Sequence, residues 1–322
     1  MEFSLKLARL AAILAIVAMP TMASAQFKLD PRYTDADGDM VADTPTAAKD
    51  WVDPATLVFA YTPAEYPAVY ANVWRGFLDH LAKVTGKKVV FFLVQSNAAQ
   101  LEAMRAGRLH VAGFNTGGNP IAVACAGFVP FAIMASHDNK FGYEMEIITY
   151  PSSGIENVAD IRGKKLAFTS ETSNAGYKVA TALLREQFKL EAGKDFDPLF
   201  SGKHDNSVLG VANKDYPAAS IDNSVMYRMI ARHVIKAGQV KTIYKSRTFP
   251  TTGYGYVYNL KPELAAKVKE AFFSFKWEGS ALLDEFKHTE PPREKFIPIT
   301  FKEHWAVVRQ IDQALRVSYA CK

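Results

Sequence analysis

From residue 56 onward the sequence predicts an α/β protein of two lobes, with the chain crossing between them twice. Three observations predict it. Short apolar runs alternate with segments of helical periodicity, the mark of a largely parallel sheet with crossover helices. The alternation pauses at one longer strand-like run, "YEMEIITYP" (143–151), and then starts again. Later, "VKTIYKSRTFPTTGYGYVYNL" (240–260) reads as strand, loop, strand and returns the chain to where it began. Crossings are expected near 146–151 and 250–255, so lobe 1 is 55–147 with 252–322 and lobe 2 is 148–251. A chain of 322 residues, 49% hydrophobic and 22% charged, can fill two such cores.

The elements follow in order. Residues 1–25 carry a basic start (Lys6, Arg9), the apolar run "LAAILAIVAM" and Ala23-Ser24-Ala25 before Gln26. That is the pattern of a cleavable secretory signal peptide, too short in its apolar part for a membrane anchor. The mature protein is expected in the periplasm. Residues 26–54 form an Asp-rich leader. In it Asp35, Asp37, Asp39 and Asp43 are spaced so that they could wrap a calcium ion, but Thr46 stands where an EF-hand has its bidentate Glu. The plainer reading, a solvated leader without metal, is the one taken.

Next come "TLVFAY" as a strand, "AVYANVWRGFLDHLAKVTG" as helix ending on Gly86, "KKVVFFLV" as strand and "NAAQLEAMRAGR" as helix. "LHVAGF", "NPIAVACAG" and "FVPFAIMAS" then read as strand, short helix, strand. In lobe 2, strands at "KKLAFTS", "DFDPLF" and "YPAASID" alternate with helices at "AGYKVATALLREQF", "NSVLGVANK" and "NSVMYRMIARHV". Two helices, "KPELAAKVKEAFFSF" and "KEHWAVVRQIDQALR", close the chain. An exported protein could join Cys125 to Cys321, but nothing in the sequence brings them together, and they are read as separate thiols.

In open α/β sheets, ligands sit beyond the carboxyl ends of strands, so those loops hold the candidate site. They contain Tyr61 and Thr62, then Asn115, Thr116 and Gly117, then Thr172, Ser173 and Asn174 within "TSETSNAG", then His204, and then Asp222. Nearly all are neutral hydrogen-bonding groups beside helix starts, where unpaired N–H groups favour an oxyanion. Each has a plainer alternative. Thr172, Ser173 or Asp222 could simply cap a helix, and His204 could lie on the surface. If Asp222 does face an anion, it selects one that still carries a P–OH proton. Tyr61 walls the cleft in this reading, and Tyr66 less so.

Chemistry of other kinds lacks its residues. A net charge of +5 without a basic stripe excludes nucleic acid. Neither a G-x-S-x-G elbow, a Walker loop nor zinc-ligand spacing occurs, and His204-Asp205 are adjacent, so their side chains diverge. The chain is therefore not read as an enzyme, and no cofactor is expected.

The stretches "GKKVVFFLVQSNAAQLEAMRAGRLHVAGFNTGGNPIAVACAGFVPFA", "LAFTSETSNAGYKVATALL" and "SGKHDNSVLGVANKDYPAASIDNSVMYRM" together resemble the substrate-binding proteins of phosphonate/phosphite/phosphate ABC transporters. The resemblance spans nearly the whole mature chain. It implies the two-lobed type II periplasmic binding protein fold with two hinge crossovers, closing on a phosphorus oxyanion and delivering it to an inner-membrane permease, as a monomer. It further implies that Thr172, Ser173 and Asn174 grip phosphoryl oxygens. Asn115, Thr116 and Gly117 would form the opposing loop, and His204, Asp222 and Tyr61 would be ligand contacts. Tyr66 stands where relatives tend to have an acid, and the family's second loop glycine falls near Pro120, so the wall of lobe 1 departs from the pattern. Two other readings keep the fold: a receptor for another small anion or organic ligand, and the ligand-binding part of a sensor.

Overall fold

The computed structural model describes residues 27–319 and residue 321. The signal-peptide expectation lies outside them. In chain order the first half runs β1 (Thr56–Tyr61), α1 (Ala68–Val73), α2 (Arg75–Thr85), β2 (Lys88–Phe91), α3 (Asn97–Arg105), β3 (Val111–Phe114), α4 (Asn119–Ala126), β4 (Phe128–Ala135), β5 (Tyr143–Thr149) and β6 (Lys165–Phe168). A π-wound turn, Asn174–Lys178, then leads into α5 (Val179–Gln187), followed by β7 (Asp197–Phe200), α6 (His204–Ala212), β8 (Ala218–Asp222), α7 (Asn223–Ala231) and β9 (Lys241–Phe249). The last part is β10 (Gly253–Val257), α8 (Pro262–Ser274), α9 (Ala281–Phe286), β11 (Lys295–Pro298), α10 (Phe301–His304) and α11 (Ala306–Ala314).

These strands form two sheets. One has the order β11-β4-β10-β3-β1-β2 and the other β7-β6-β8-β5-β9. In the first, β1 runs parallel to β2 and β3, and β10 runs antiparallel to β3 and β4. In the second, β6 is parallel to β7 and β8, and β5 is antiparallel to β8 and β9. Both sheets are covered on both faces, so their central strands are apolar throughout rather than alternating. In lobe 2 adjacent residues show this directly: Ile147 and Leu166 belong to one core layer, Ile148 and Ala167 to the other. In lobe 1 the core is aromatic, with Phe59, Trp74, Phe77, Tyr254, Phe272 and Phe296 in mutual ring contact.

Two readings of the sequence change, the place of the first crossing and the state of the two cysteines. β5 lies wholly in the second sheet, so the first crossing falls within 136–142 and not at 146–151. The long run at 143–151 looked like a bridge because it is long, but its length comes from pairing on both sides. The second crossing lies within 250–252, between β9 and β10.

Cys125 and Cys321 form a disulfide, with Cα atoms 5.3 Å apart. The cause is the path of the C-terminal tail. α11 packs Val308 into the core of lobe 1 and sets Val307 and Ile311 against lobe 2, which carries the chain end back to α4. The leader packs on lobe 1 at its flanks, while its Asp-rich turn stays exposed to solvent. Asp30 N–H bonds the Ala124 carbonyl, Phe27 packs on Phe301 and Tyr319, and Val41 and Ala42 are buried.

Candidate functional site

The carboxyl ends of β1, β3, β6 and β8 all face the gap between the sheets, and the loops that follow them close around a cavity of about 30 Å³. One water needs roughly 10–15 Å³ by this kind of measure, so the space suits a single small tetrahedral group. An outer groove of about 280 Å³ adjoins it and shares Ala64, Asn115, Ser173 and His204 with it.

Lobe 2 contributes the starts of three helices. Ser173 caps the π-wound turn, its hydroxyl accepting the Gly176 N–H at 3.0 Å. The same hydroxyl lies 3.3 Å from His204 Nε2. His204 Nδ1 accepts the backbone N–H of Asp222 at 3.0 Å, which fixes the neutral tautomer with its proton on Nε2. Burial pushes the imidazole below its usual range, although Asp222 and Asp205 pull the other way. A neutral N–H donor therefore faces the cavity at neutral pH.

Asp222 caps α7: its Oδ1 accepts both the N–H and the hydroxyl of Ser224, at 2.8 and 2.6 Å. Among the described residues no protein hydrogen bond reaches its Oδ2. Asn174 Nδ2 donates to the Tyr143 hydroxyl at 2.9 Å, while its buried Oδ1 has no partner. With the amide turned through 180°, Tyr143 donates to Oδ1 and the NH₂ faces the same space.

Lobe 1 contributes the loop between β3 and α4. Asn115 Oδ1 accepts the Gly118 N–H at 2.7 Å, a side-chain cap that folds the loop back on itself. The Thr116 hydroxyl donates to the Pro250 carbonyl of the second crossing at 2.6 Å, and the Thr116 carbonyl accepts from Trp305 Nε1 at 3.0 Å. These bonds turn the Thr116 and Gly117 N–H groups away from any intrachain acceptor among the described residues. Tyr61 is buried against Tyr70 and Trp74 and also lines the cavity. The Thr62 hydroxyl donates to Asn97 Oδ1 at 3.2 Å, and Asn97 Nδ2 donates across to Thr172 Oγ1 at 3.1 Å.

Nine of the ten residues singled out in the sequence thus line the cavity: Tyr61, Thr62, Asn115, Thr116, Gly117, Ser173, Asn174, His204 and Asp222. Thr172 does not. It is exposed in the outer groove and bridges the lobes through Asn97, because the Ser173 cap turns its neighbour outward. Tyr66 is 62% exposed and away from the cavity.

The cavity also contains residues that the strand-end rule does not reach. Tyr143 comes from the start of β5, Thr251 and Thr252 from the second crossing, Arg228 from the second turn of α7, and Arg293 from the loop before β11. The buried Thr251 hydroxyl has no partner. Arg228 is held by Glu65 at 2.6 Å and Glu285 at 3.0 Å, so its charge is already balanced.

The Asp-rich leader is separate from this site. Asp35, Asp37 and Asp39 each place a carboxylate oxygen within 4.8 Å of the others. Several of these oxygens fold the loop itself, by accepting the N–H groups of Asp39, Met40 and Val41.

A family model described as "ABC transporter, phosphonate, periplasmic substrate-binding protein" matches residues 59–305. The "Phosphate-import protein PhnD" of Mycolicibacterium smegmatis is 29% identical over 267 residues, covering 77% of this chain and 82% of that protein. Among solved structures, a binding protein component of an ABC phosphonate transporter from Pseudomonas aeruginosa superposes with a TM-score of 0.73 at 22% identity, over 82% of this chain and 88% of that one. PhnD1 from Prochlorococcus marinus in complex with methylphosphonate superposes with a TM-score of 0.72 at 15% identity, over 82% of this chain and 99% of that one.

Proposed function

This chain belongs to the family of periplasmic substrate-binding proteins of phosphonate ABC transporters, and from that premise we propose that the cavity between its lobes captures one small phosphorus oxyanion for delivery to an inner-membrane permease. The observation that carries this reading is the pairing, in one small cavity, of converging donors with a single free carboxylate oxygen. His204 Nε2, Ser173 and the N–H groups of Thr116 and Gly117 suit anionic oxygens. Asp222 Oδ2 suits a P–OH proton. Sulfate, fully ionised at neutral pH, would meet that carboxylate as a bare like charge and be refused. The chain is read as a carrier and not as an enzyme, since His204 Nδ1 accepts the Asp222 N–H, which leaves the proton on Nε2 and no basic nitrogen to activate the Ser173 hydroxyl.

A thermal-shift panel on the mature protein tests the reading, with phosphate, phosphite, hypophosphite, methylphosphonate, aminoethylphosphonate and sulfate. A ligand at a hundred times its Kd stabilises by about 2.7 kcal/mol, which is roughly 5–10 °C for a chain of this size. A shift of that order with a phosphorus anion and none with sulfate is expected. An equal shift with sulfate, or none with any phosphorus anion, would remove the reading.

A further inference from the structure

We propose that Arg293 is a ligand contact supplying the uncompensated positive charge of the cavity, and that Arg293 together with Asp222 selects hydrogen phosphate over phosphite and phosphonates. This deepens the reading above and rests on it.

Arg293 is 4% exposed and lines the cavity. Its Nε and Nη2 are buried without a hydrogen-bond partner, and among the described residues it forms no ion pair. A buried guanidinium left in this state is costly, and the usual remedy is a carboxylate. Arg228, the other cavity arginine, has that remedy twice over. Arg293 instead stacks its guanidinium 5.6 Å from the Phe286 ring centre. The loop behind it is tied down: the Thr289 hydroxyl lies 2.9 Å from the Phe286 carbonyl and 2.8 Å from that of Pro291, and Arg293 N–H bonds the Phe286 carbonyl. The side chain is thus fixed in position, with donors that only a guest can satisfy. It lines the cavity and takes no part in the outer groove.

Arg293 asks for full negative charge on one oxygen, and Asp222 Oδ2, on the other lobe, asks for a proton on another. Hydrogen phosphate meets both demands, being doubly charged while keeping one P–OH. The dianions of phosphite and of alkylphosphonates keep no P–OH, and their monoanions have lost a charge. The groups facing Arg293 are Tyr61, Tyr143 and Tyr254 in lobes 1 and 2, with Arg228, Asp222 and His204 around the same cavity. Burial raises the three phenols and lowers the imidazole, so around neutrality the ligand's own second ionisation is what changes.

Titration calorimetry on wild type, Arg293→Gln and Arg293→Lys at about pH 6 and about pH 8 reads this out, since the second ionisation of phosphate-type groups lies close to that interval. Wild type should bind phosphate more tightly at the higher pH, and phosphite and methylphosphonate less tightly. Arg293→Gln should lose about 10- to 100-fold for phosphate and lose the rise with pH. Arg293→Lys should keep the rise at reduced affinity. The unliganded Arg293→Gln protein should melt within a few degrees of wild type, because the lost group gave up only its stacking on Phe286 and had no hydrogen-bond or ion-pair partner among the described residues. Phosphate affinity of Arg293→Gln within twofold of wild type would overturn the inference. So would methylphosphonate or phosphite binding wild type at about pH 8 as tightly as phosphate, which leaves the phosphorus-oxyanion reading standing. Failure of every phosphorus anion to bind wild type overturns both.

Discussion

Asp222 does two jobs with its two oxygens. Oδ1 caps α7 through Ser224, Oδ2 has no protein partner among the described residues, and the residue lines the cavity. Asn serves as an N-cap about as well as Asp, so Asp222→Asn separates the two roles. The variant should keep its unliganded stability to within about 1 kcal/mol. Its cavity would now offer an amide donor where a carboxylate stood, so sulfate should produce a thermal shift of several degrees that wild type does not show. Sulfate still refused by the variant would mean that Asp222 does not read the ligand's proton. This residue was legible in the sequence for a physical reason, as were Ser173, Asn174 and His204. A helix beginning right after a strand must place its capping side chain and its free N–H groups at the strand's end. Arg293 was not legible. It reaches the cavity from a proline-rich loop far along the chain, and only tertiary packing shows that it lacks a partner. Thr172 lies in the outer groove instead, since spacing cannot tell which of two adjacent hydroxyls turns inward.

Two loops, one per lobe, meet backbone to backbone at the rim of the site. A Cβ on Gly117 would stand 2.2 Å from the Thr172 carbonyl oxygen and 2.7 Å from Asn174 N, and neither is a flexible side-chain end that could yield. Lys178 Nζ from the π-wound turn also donates to the Gly117 carbonyl at 3.1 Å. Glycine is needed at 117 for close approach, not for an unusual φ. Gly117→Ala should therefore leave each lobe folded and hold them apart. Its unliganded melting temperature should match wild type, while affinity for the phosphorus anion falls about 100-fold or more, the scale of a displaced contact at several donors. Wild-type affinity in this variant would show that the loops do not need to meet. At this scale most of lobe 2 was readable, because its strands and helices alternate with clear breaks. β11 and α9 were not. The β11 residues, "KFIP", follow "EPPRE" and end in Pro298, a composition that argues against a strand except where, as here, it pairs at a sheet edge with β4 alone. α9 has only six residues, too few for a period to show.

The two lobes are joined by a buried ionic cluster as well as by the site. Glu65, Tyr70 and Glu285 stand on lobe 1, and Arg228 on α7 and Arg232 just past its end stand on lobe 2. Glu65 Oε1 pairs with Arg228 at 2.6 Å and accepts from the Tyr70 hydroxyl at 2.8 Å, and its other oxygen pairs with Arg232. A second latch sets Lys178 against Asp312 of α11 at 2.7 Å, and the backbone N–H of Tyr66 donates to Asp205 at 2.9 Å. Burial alone would raise the Glu65 carboxyl, but Arg228 and Arg232 outweigh it and hold the group below the usual range. Opening the lobes returns Glu65 toward that range. Closure therefore gains from this group at every pH above the ordinary carboxylate range, and the gain is lost as pH falls through the lowered value. Affinity for the ligand should thus be flat in this component near neutrality and weaken in acid. Glu65→Gln should bind about 10- to 100-fold more weakly at neutral pH, because Arg228 and Arg232 are left with Glu285 alone. It should also lose less on acidification than wild type does, since Gln has no proton to take up. Calorimetric affinities of both proteins from neutral pH down to about pH 4, the ordinary carboxylate range, distinguish this latch from a purely structural ion pair. If the two curves fall in parallel, Glu65 does not couple closure to protonation, and the cluster merely fills the interface.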